Sequence, residues 1–275
     1  MEVQFYGVRG SVATARAETS GVGGNTSCVA IRSGDDFIIC DAGTGITQLG
    51  SELSGQKVNA HLFLSHCHWD HIQGFPFFGP GYAPQNALSI YGVQNTDATI
   101  SVKEVFNKQM KAPFFPVGLD AMQADMRFVD LQLGEQVSLK NTRVKHLEVD
   151  HPNGCVAYRF ESGKKSIVYA TDLEPHDQNA KLDLIEFAKG TDVFIFDSMY
   201  TPEEYHGESG PSRVGWGHST FEVGAAIAAR ANVAQYCLFH HDPSHDDKFM
   251  DALEKTAKSA FSRSVVAREG MKITI

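Results

Sequence analysis

The sequence lacks several features that mark specialised classes of protein. It has no run of about 18 apolar residues, and its first residues contain no basic segment followed by an apolar one, so neither a membrane span nor a signal peptide is indicated. Cysteine is scarce and shows no C-x-x-C spacing, which argues against a disulfide framework. We therefore expect a cytoplasmic protein with five reduced cysteines: Cys28, Cys40, Cys67, Cys155 and Cys237. Cys67 lies between two histidines, and its side chain is expected to point away from theirs.

Positive charge is also limited. The chain has 24 Lys and Arg against 33 Asp and Glu, a formal net charge of -9, and no basic block. This balance argues against a long nucleic acid as partner, but it is compatible with a small anionic substrate held by metal ions. The 275 residues are 42% hydrophobic and contain no linker of Pro, Gly and Ser, which predicts a single domain over residues 1–275.

The apolar pattern predicts an α/β chain with two β-rich halves, each with helices. Short β-type runs separated by glycine turns fill the first forty residues, and a second series begins at Arg127. Residues 75–118, rich in Phe, Pro and Gly, suit a pocket wall. In the last hundred residues the predicted helices are 181–188, 221–230 and 246–261, and the predicted strands are 193–196, 235–239 and 271–275. No repeat with a recognisable motif is visible.

The heptapeptide Ser-His-Cys-His-Trp-Asp-His, directly after an apolar run, contains three histidines and one aspartate in its last six positions. In an extended segment His66 and His68 project to the same side, so both imidazoles can bind one ion. A turn into a helix would carry Asp70 and His71 toward a second ion. The alternative is a polar helix start, but packing does not require this density of ligand-type side chains.

Three further positions offer ligands at the ends of predicted strands, namely His151, Asp172 and His240. Each follows an apolar segment and precedes a turn, where side chains at the rim of a sheet converge. Each also has an ordinary alternative: a turn residue for His151, a helix N-cap for Asp172 and one of a surface pair for His240. Their combination with the heptapeptide favours a site for two metal ions.

The order of these motifs resembles that of the metallo-β-lactamase-fold hydrolases over essentially the whole chain. The resemblance rests on Asp41, His66, His68, Asp70, His71, His151, Asp172 and His240. It implies an αββα sandwich, with two mixed β-sheets flanked by helices and a dinuclear site at one edge. It also implies that one ion is bound by His66, His68 and His151, the other by Asp70, His71 and His240, and that Asp172 bridges both.

Other features of this site remain open at the level of sequence. Zinc suits imidazole and carboxylate ligands, and manganese or iron fits the same set. Asp41 either orients a ligand histidine or forms an Asx turn before a Gly-rich loop. His240 is the preferred last ligand and His241 the fallback, whereas His245 is expected on the solvated start of the last helix.

A second motif, Gly-Trp-Gly-His-Ser-Thr at residues 215–220, precedes an Ala-rich helix. Ser219 and Glu222 have the spacing of a capping box, which would place His218 just outside a helix N-terminus. The motif resembles the His-Ser-Thr loop of ribonuclease Z and related phosphodiesterases. The resemblance implies a carboxylate partner for this histidine, and Asp197 occupies that position where the family more usually has Glu.

These features predict a metal-dependent hydrolase, and in particular a phosphodiesterase for a small diester such as a cyclic nucleotide. The nucleophile would be a metal-bound hydroxide oriented by Asp70 and Asp172. His218 would protonate the leaving oxygen, and Asp197 would raise the pKa of this acid. No Gly- and Lys-rich arm for transfer RNA is present between His71 and Asp197. The alternatives are a thioester or lactone hydrolase and a catalytically weak sensor; a homodimer is expected only because related diesterases often form one.

Overall fold

In the computed structural model, which describes residues 1–93 and 100–275, the strands form two seven-stranded sheets. The first sheet contains β1 (Glu2–Gly7), β2 (Cys28–Ser33), β3 (Asp36–Cys40), β4 (Asn59–Leu64), β5 (Ala87–Val93), β6 (Asp125–Leu131) and, from the chain end, β14 (Lys272–Thr274). The second contains β7 (Val137–Ser138), β8 (Arg143–Val149), β9 (Cys155–Ser162), β10 (Lys165–Ala170), β11 (Val193–Asp197), β12 (Gln235–Phe239) and β13 (Ser264–Val266).

The two sheets have the same pattern of strand pairing. Their orders are β14-β1-β2-β3-β4-β5-β6 and β13-β12-β11-β10-β9-β8-β7. Strands β3, β4, β5 and β6 pair in parallel, as do β10, β11, β12 and β13, whereas the other neighbours are antiparallel. The halves are therefore alike in topology, although no repeat is visible in the sequence.

Helices cover the outer faces of the sheets. They are α1 (Ile46–Glu52), α2 (Trp69–Ile72), α3 (Val102–Gln109), α4 (Gln178–Ala188), α5 (Pro202–His206), α6 (Phe221–Arg230) and α7 (Asp247–Ala260). Short 3-10 helices lie at Ala17–Thr19, Phe75–Phe77, Gly79–Tyr82 and Leu119–Ala121. No helix in the described part of the chain is long and apolar enough to cross a bilayer.

The core is built from the period-2 alternation of buried side chains along each strand. In β3, Ile38 belongs to the core shared by the two sheets, whereas Ile39 faces the helix layer of the first sheet. Phe63 connects the sheets, because its ring centroid lies 5.4 Å from that of Tyr158 and 5.7 Å from that of Phe160. The predicted αββα sandwich is confirmed.

Two local predictions need correction. Helix α6 begins at Phe221, and its N-cap is Thr220, whose hydroxyl accepts a hydrogen bond from the Val223 N–H. The predicted capping box at Ser219 is therefore wrong: the cap lies one residue later, and Val223 at the third helical position cannot complete a capping box. Strand β13 and helix α5 were not predicted; they have three and five residues.

Candidate metal centre

The heptapeptide folds as its spacing predicts. Strand β4 ends at Leu64, a bend follows at Ser65, and His68 is extended, with φ and ψ of -62° and 155°. Helix α2 begins at the next residue and places Asp70 and His71 in its first turn. Thus the two halves of the motif point their ligand-type side chains at adjacent places.

The first cluster consists of His66, His68 and His151, whose ring nitrogens lie within 4.8 Å of one another. His68 Nδ1 and His151 Nε2 are 3.1 Å apart. His66 Nε2 is buried and has no hydrogen-bond partner among the described residues. A buried nitrogen without a partner is costly in free energy, and a metal ion at the centre of the three rings would satisfy it.

The second cluster consists of Asp70, His71, Asp172 and His240, all buried. His71 Nε2 lies 3.1 Å from both Asp70 Oδ2 and Asp172 Oδ2. His240 Nε2 lies 3.3 Å and 3.2 Å from the same two oxygens. Two atoms bound at about 2.0 Å to one tetrahedral ion are about 3.3 Å apart, so this spacing fits a zinc-sized ion.

The Asp172 carboxylate faces both clusters. While its Oδ2 contacts the second cluster, its Oδ1 lies 3.9 Å from the Nε2 atoms of His66 and His151. This carboxylate is almost fully buried, and in the described residues neither it nor Asp70 pairs with a Lys or an Arg. The two carboxylates therefore carry negative charge that bound cations would neutralise.

The protonation of most of these groups suits metal binding. Burial favours the neutral acids, but His71 and His240 outweigh it and hold the pKa values of Asp70 and Asp172 below their usual range. Burial lowers the pKa values of His66 and His151, and neighbouring imidazoles lower them further. Anionic carboxylates and neutral imidazoles are the forms that bind a metal ion. The exception is His71: burial opposes its protonation, but Asp172, Asp70 and Asp41 outweigh burial and raise its pKa well above the usual range, so a bound ion would take the place of its proton.

Hydrogen bonds fix the orientation of the ligand histidines. His71 Nδ1 donates to Asp41 Oδ2 at 2.8 Å, and Asp41 also accepts from Tyr169 OH at 2.7 Å and from the Ser65 N–H at 2.7 Å. His151 Nδ1 donates to the Gly217 carbonyl at 2.8 Å. Each of these bonds leaves Nε2 for the metal, which is the orienting role predicted for Asp41.

Three of the site aspartates and histidines have left-handed backbone conformations within two residues of a strand end. The φ angles are 60° at Asp41, 52° at Asp172 and 59° at His240. Such angles are uncommon outside glycine and concentrate at functional sites. The alternative for Asp172 as a helix N-cap is wrong, because Asp177 caps α4 by accepting from the Ala180 N–H.

The structure also separates the neighbouring histidines. His240 faces the second cluster, whereas His241 turns away and its Nε2 lies 2.9 Å from the Ala267 carbonyl. The expectation that His245 is solvated is wrong, because it is only 4% exposed, contacts Glu204 Oε1 at 2.8 Å and stacks on Phe249.

His218 and Asp197 meet beside both clusters. His218 Nδ1 lies 2.8 Å from Asp197 Oδ2, and the His218 ring lies 4.9 Å from that of His240 and 5.3 Å from that of His151. Burial opposes protonation, but Asp197, with smaller contributions from Asp172 and Asp70, outweighs it and raises the pKa of His218 to about 9. With Nδ1 bound to Asp197, the Nε2 atom remains for a substrate.

Glu174 is a site residue that the sequence analysis missed. Its carboxylate is 2% exposed and accepts hydrogen bonds from the N–H groups of Gly215 and Gly217 at 2.8 and 2.7 Å and from Tyr205 OH at 2.6 Å. It thereby fixes the loop whose Gly217 carbonyl orients His151. Its position two residues after Asp172 was the only signal available in the sequence.

The loop before β2 also contacts the site. The Ser11 N–H donates to Asp70 Oδ2 at 2.8 Å, and a Cβ at Gly10 would lie 2.5 Å from the His240 ring. Glycine is therefore required at this close approach.

A cavity lies beside the first cluster and is not lined by residues of the second. Its wall includes Cys67, His66 and His68 and, from the predicted pocket wall, Val102 and Val105. Cys67 is not part of any ligand cluster among the described residues.

Comparison with known proteins gives a consistent result. Residues 37–241 match the family described as the beta-lactamase superfamily domain. Ribonuclease Z of Picrophilus torridus is 25% identical over 279 aligned positions, which cover 86% of this chain and 85% of that protein. Ribonuclease Z of Methanosarcina mazei is 24% identical over 336 positions, covering 100% and 98%. Because 336 exceeds the 275 residues here, that relative has segments without a counterpart in this chain.

A solved structure shows the same fold. The metallo-beta-lactamase fold protein YhfI from Bacillus subtilis superposes with a TM-score of 0.73 at 20% identity, covering 99% of this chain and 98% of that one.

Proposed function

The chain belongs to the beta-lactamase superfamily and is a metal-dependent hydrolase, and from this premise we propose that it is a dinuclear phosphodiesterase acting on a small diester such as a cyclic nucleotide. The observation that carries the choice of reaction is the contact of 2.8 Å between His218 Nδ1 and Asp197 Oδ2 beside the ligand clusters. An alkoxide leaves a phosphodiester poorly unless it is protonated, whereas an activated acyl ester has no such need.

Two divalent ions fit the donor set. The first would be held by His66, His68 and His151, the second by Asp70, His71 and His240, and Asp172 would offer one oxygen to each. We favour zinc, and manganese or iron would suit the same ligands. When bound, the ions would supply a nucleophilic hydroxide near neutral pH and neutralise charge on the phosphate oxygens.

Side chains of the site then orient the nucleophile and protonate the leaving group. Asp70 Oδ1 forms no hydrogen bond with the described residues, so it can accept a hydrogen bond from the attacking oxygen and orient it while Oδ2 faces the second cluster. His218 donates its Nε2 proton to the leaving oxygen, and Asp197 stabilises the imidazolium.

A small diester is favoured over transfer RNA for two reasons. The net charge of -9 opposes binding of a long polyanion. The ribonuclease Z of Methanosarcina mazei contains segments that this chain lacks, so this chain has less polypeptide from which to build a surface for a large substrate.

The test is hydrolysis of bis(4-nitrophenyl) phosphate and of a thioester by protein stripped with a chelator and reloaded with zinc or manganese. We expect metal-dependent hydrolysis of the diester that is lost in Asp172→Ala and retained in Asp177→Ala, which removes a carboxylate from the cap of α4. Hydrolysis of the thioester alone would replace the proposal with acyl hydrolysis. No turnover by protein with both ions bound would favour a sensor.

A further inference from the structure

The only two tryptophans of the chain lie in segments that carry candidate site residues, and both are exposed. Trp69 lies between His68 and Asp70 and is 77% exposed; Trp216 lies two residues before His218 and is 52% exposed. Tryptophan is highly buried on average in folded proteins, so exposed indoles at a catalytic centre point to contact with a ligand.

Trp216 is connected to the candidate acid through Arg213 and Tyr200. The Arg213 guanidinium carbon lies 4.6 Å from the centre of the Trp216 ring and 5.6 Å from that of Tyr200. The Tyr200 ring in turn packs edge-on against His218, with 6.0 Å between centroids. Hence Trp216 and Arg213 lie on the side of the site where His218 meets the leaving group.

The Arg213 guanidinium stacks on the rings of Trp216 and Tyr200, but its polar edge is unpaired within the described part of the chain. Among the described residues it forms neither a hydrogen bond nor an ion pair, so its N–H donors are available to a ligand. The other arginines of the loops around the site are used differently. Arg9 is buried and donates to the carbonyls of Gly23 and His245, and Arg16 donates to the Pro243 carbonyl.

The backbone that presents Trp216 is fixed on both sides. Glu174 accepts from the N–H groups of Gly215 and Gly217, and the Trp216 N–H donates to the Arg213 carbonyl at 3.1 Å. A backbone held in this way loses little conformational entropy when a ligand binds to the side chain that it presents.

We propose that Trp216 and Arg213 form a subsite for the base of a nucleotide substrate. The base stacks on the exposed indole surface, and the edge of the guanidinium donates to acceptor atoms of the base. An isolated anionic group would explain Arg213 but not the exposed indole beneath it. This inference rests on the proposed function, which places the phosphate of the same substrate at the metal clusters.

The test compares two competitive inhibitors that differ only in the base, adenosine 5′-monophosphate and ribose 5-phosphate, during hydrolysis of a chromogenic diester. Base stacking gives about a tenfold or larger ratio of inhibition constants in the unaltered protein. We expect Trp216→Ala to reduce this ratio to about one, Trp216→Phe to restore most of it and Arg213→Gln to lower it. Leu182→Ala is the control, since Leu182 is 47% exposed on α4, which carries no candidate ligand.

The two proposals fail in different ways. If the diester is hydrolysed but the ratio is near one, or is unchanged in Trp216→Ala, the base subsite is wrong and the phosphodiesterase stands. If the diester is not hydrolysed, the proposed function fails. The subsite is then tested in Trp69→Phe, where Trp216 is the sole indole: quenching of its fluorescence by the nucleotide and not by ribose 5-phosphate supports the subsite, and equal responses overturn it.

Discussion

Replacement of His218 by alanine separates the role of this residue as a proton donor from a role in holding the site together. Its pKa, raised to about 9 mainly by the Asp197 carboxylate over the opposing effect of burial, keeps the imidazole protonated at pH 7. Cations in the two clusters would offset the smaller contributions of Asp172 and Asp70, whereas Asp197 remains in contact at 2.8 Å. The proton is thus available where the leaving oxygen needs it.

The expected loss depends on the leaving group. A positioned general acid contributes about 10²- to 10⁴-fold, or roughly 3–5 kcal/mol of the barrier. We expect His218→Ala to lower kcat/KM by this factor for a diester with two alkyl alcohols, such as a cyclic nucleotide. For 4-nitrophenyl diesters the loss should stay below about tenfold, because nitrophenolate leaves without protonation.

Both substrates are measured with the same zinc- or manganese-loaded preparations, and metal content is checked for each variant. His206→Ala is a suitable control, since it removes an exposed imidazole from α5, which carries none of the candidate ligands. Equal losses for the two leaving groups would refute general-acid catalysis and leave His218 with a structural role.

Three other substitutions test neighbouring parts of the account. Asp197→Asn removes the charge that raises the pKa of His218, so the alkaline decline of kcat for an alkyl diester should move to lower pH; an unchanged profile would contradict the pairing. Asp172→Ala should reduce bound metal from two ions to at most one per chain by elemental analysis, and full retention would rule out the bridge. Glu174→Gln replaces one acceptor oxygen by a donor. The free energy of unfolding in urea should therefore fall by about 1–3 kcal/mol, and kcat should fall more than KM rises. A wild-type kcat would show that the Gly217 loop does not need this hydrogen bond.

Much of the site could be predicted from the sequence because the candidate metal ligands follow the ends of strands in a fixed order along the chain. In the heptapeptide, an extended start projects His66 and His68 to the same side, and the turn into α2 carries Asp70 and His71 toward the second cluster. The choice of His240 over His241 followed from the usual pattern in which a ligand histidine comes directly after an apolar strand, here β12.

Other features depend on tertiary contacts that no local pattern encodes. From the local sequence Glu174 is an ordinary loop residue. Its role arises because its carboxylate accepts hydrogen bonds from a loop some forty residues later in the chain. His245 follows a turn that looks solvated, but Glu204 and Phe249 enclose it. By local sequence either hydroxyl could cap the helix α6. In the structure the Thr220 hydroxyl does so, whereas the Ser219 N–H donates to Asp197 Oδ1 at 3.4 Å.

The measurement that tests the central claim most directly is anomalous X-ray diffraction from crystals of the metal-loaded protein, recorded above and below the absorption edge of the metal. The account predicts two peaks per chain, one among His66, His68 and His151 and one among Asp70, His71 and His240, with an oxygen of Asp172 bound to each. A single peak would contradict a dinuclear centre. Two peaks of which either lies away from Asp172 would contradict the bridging role of this residue.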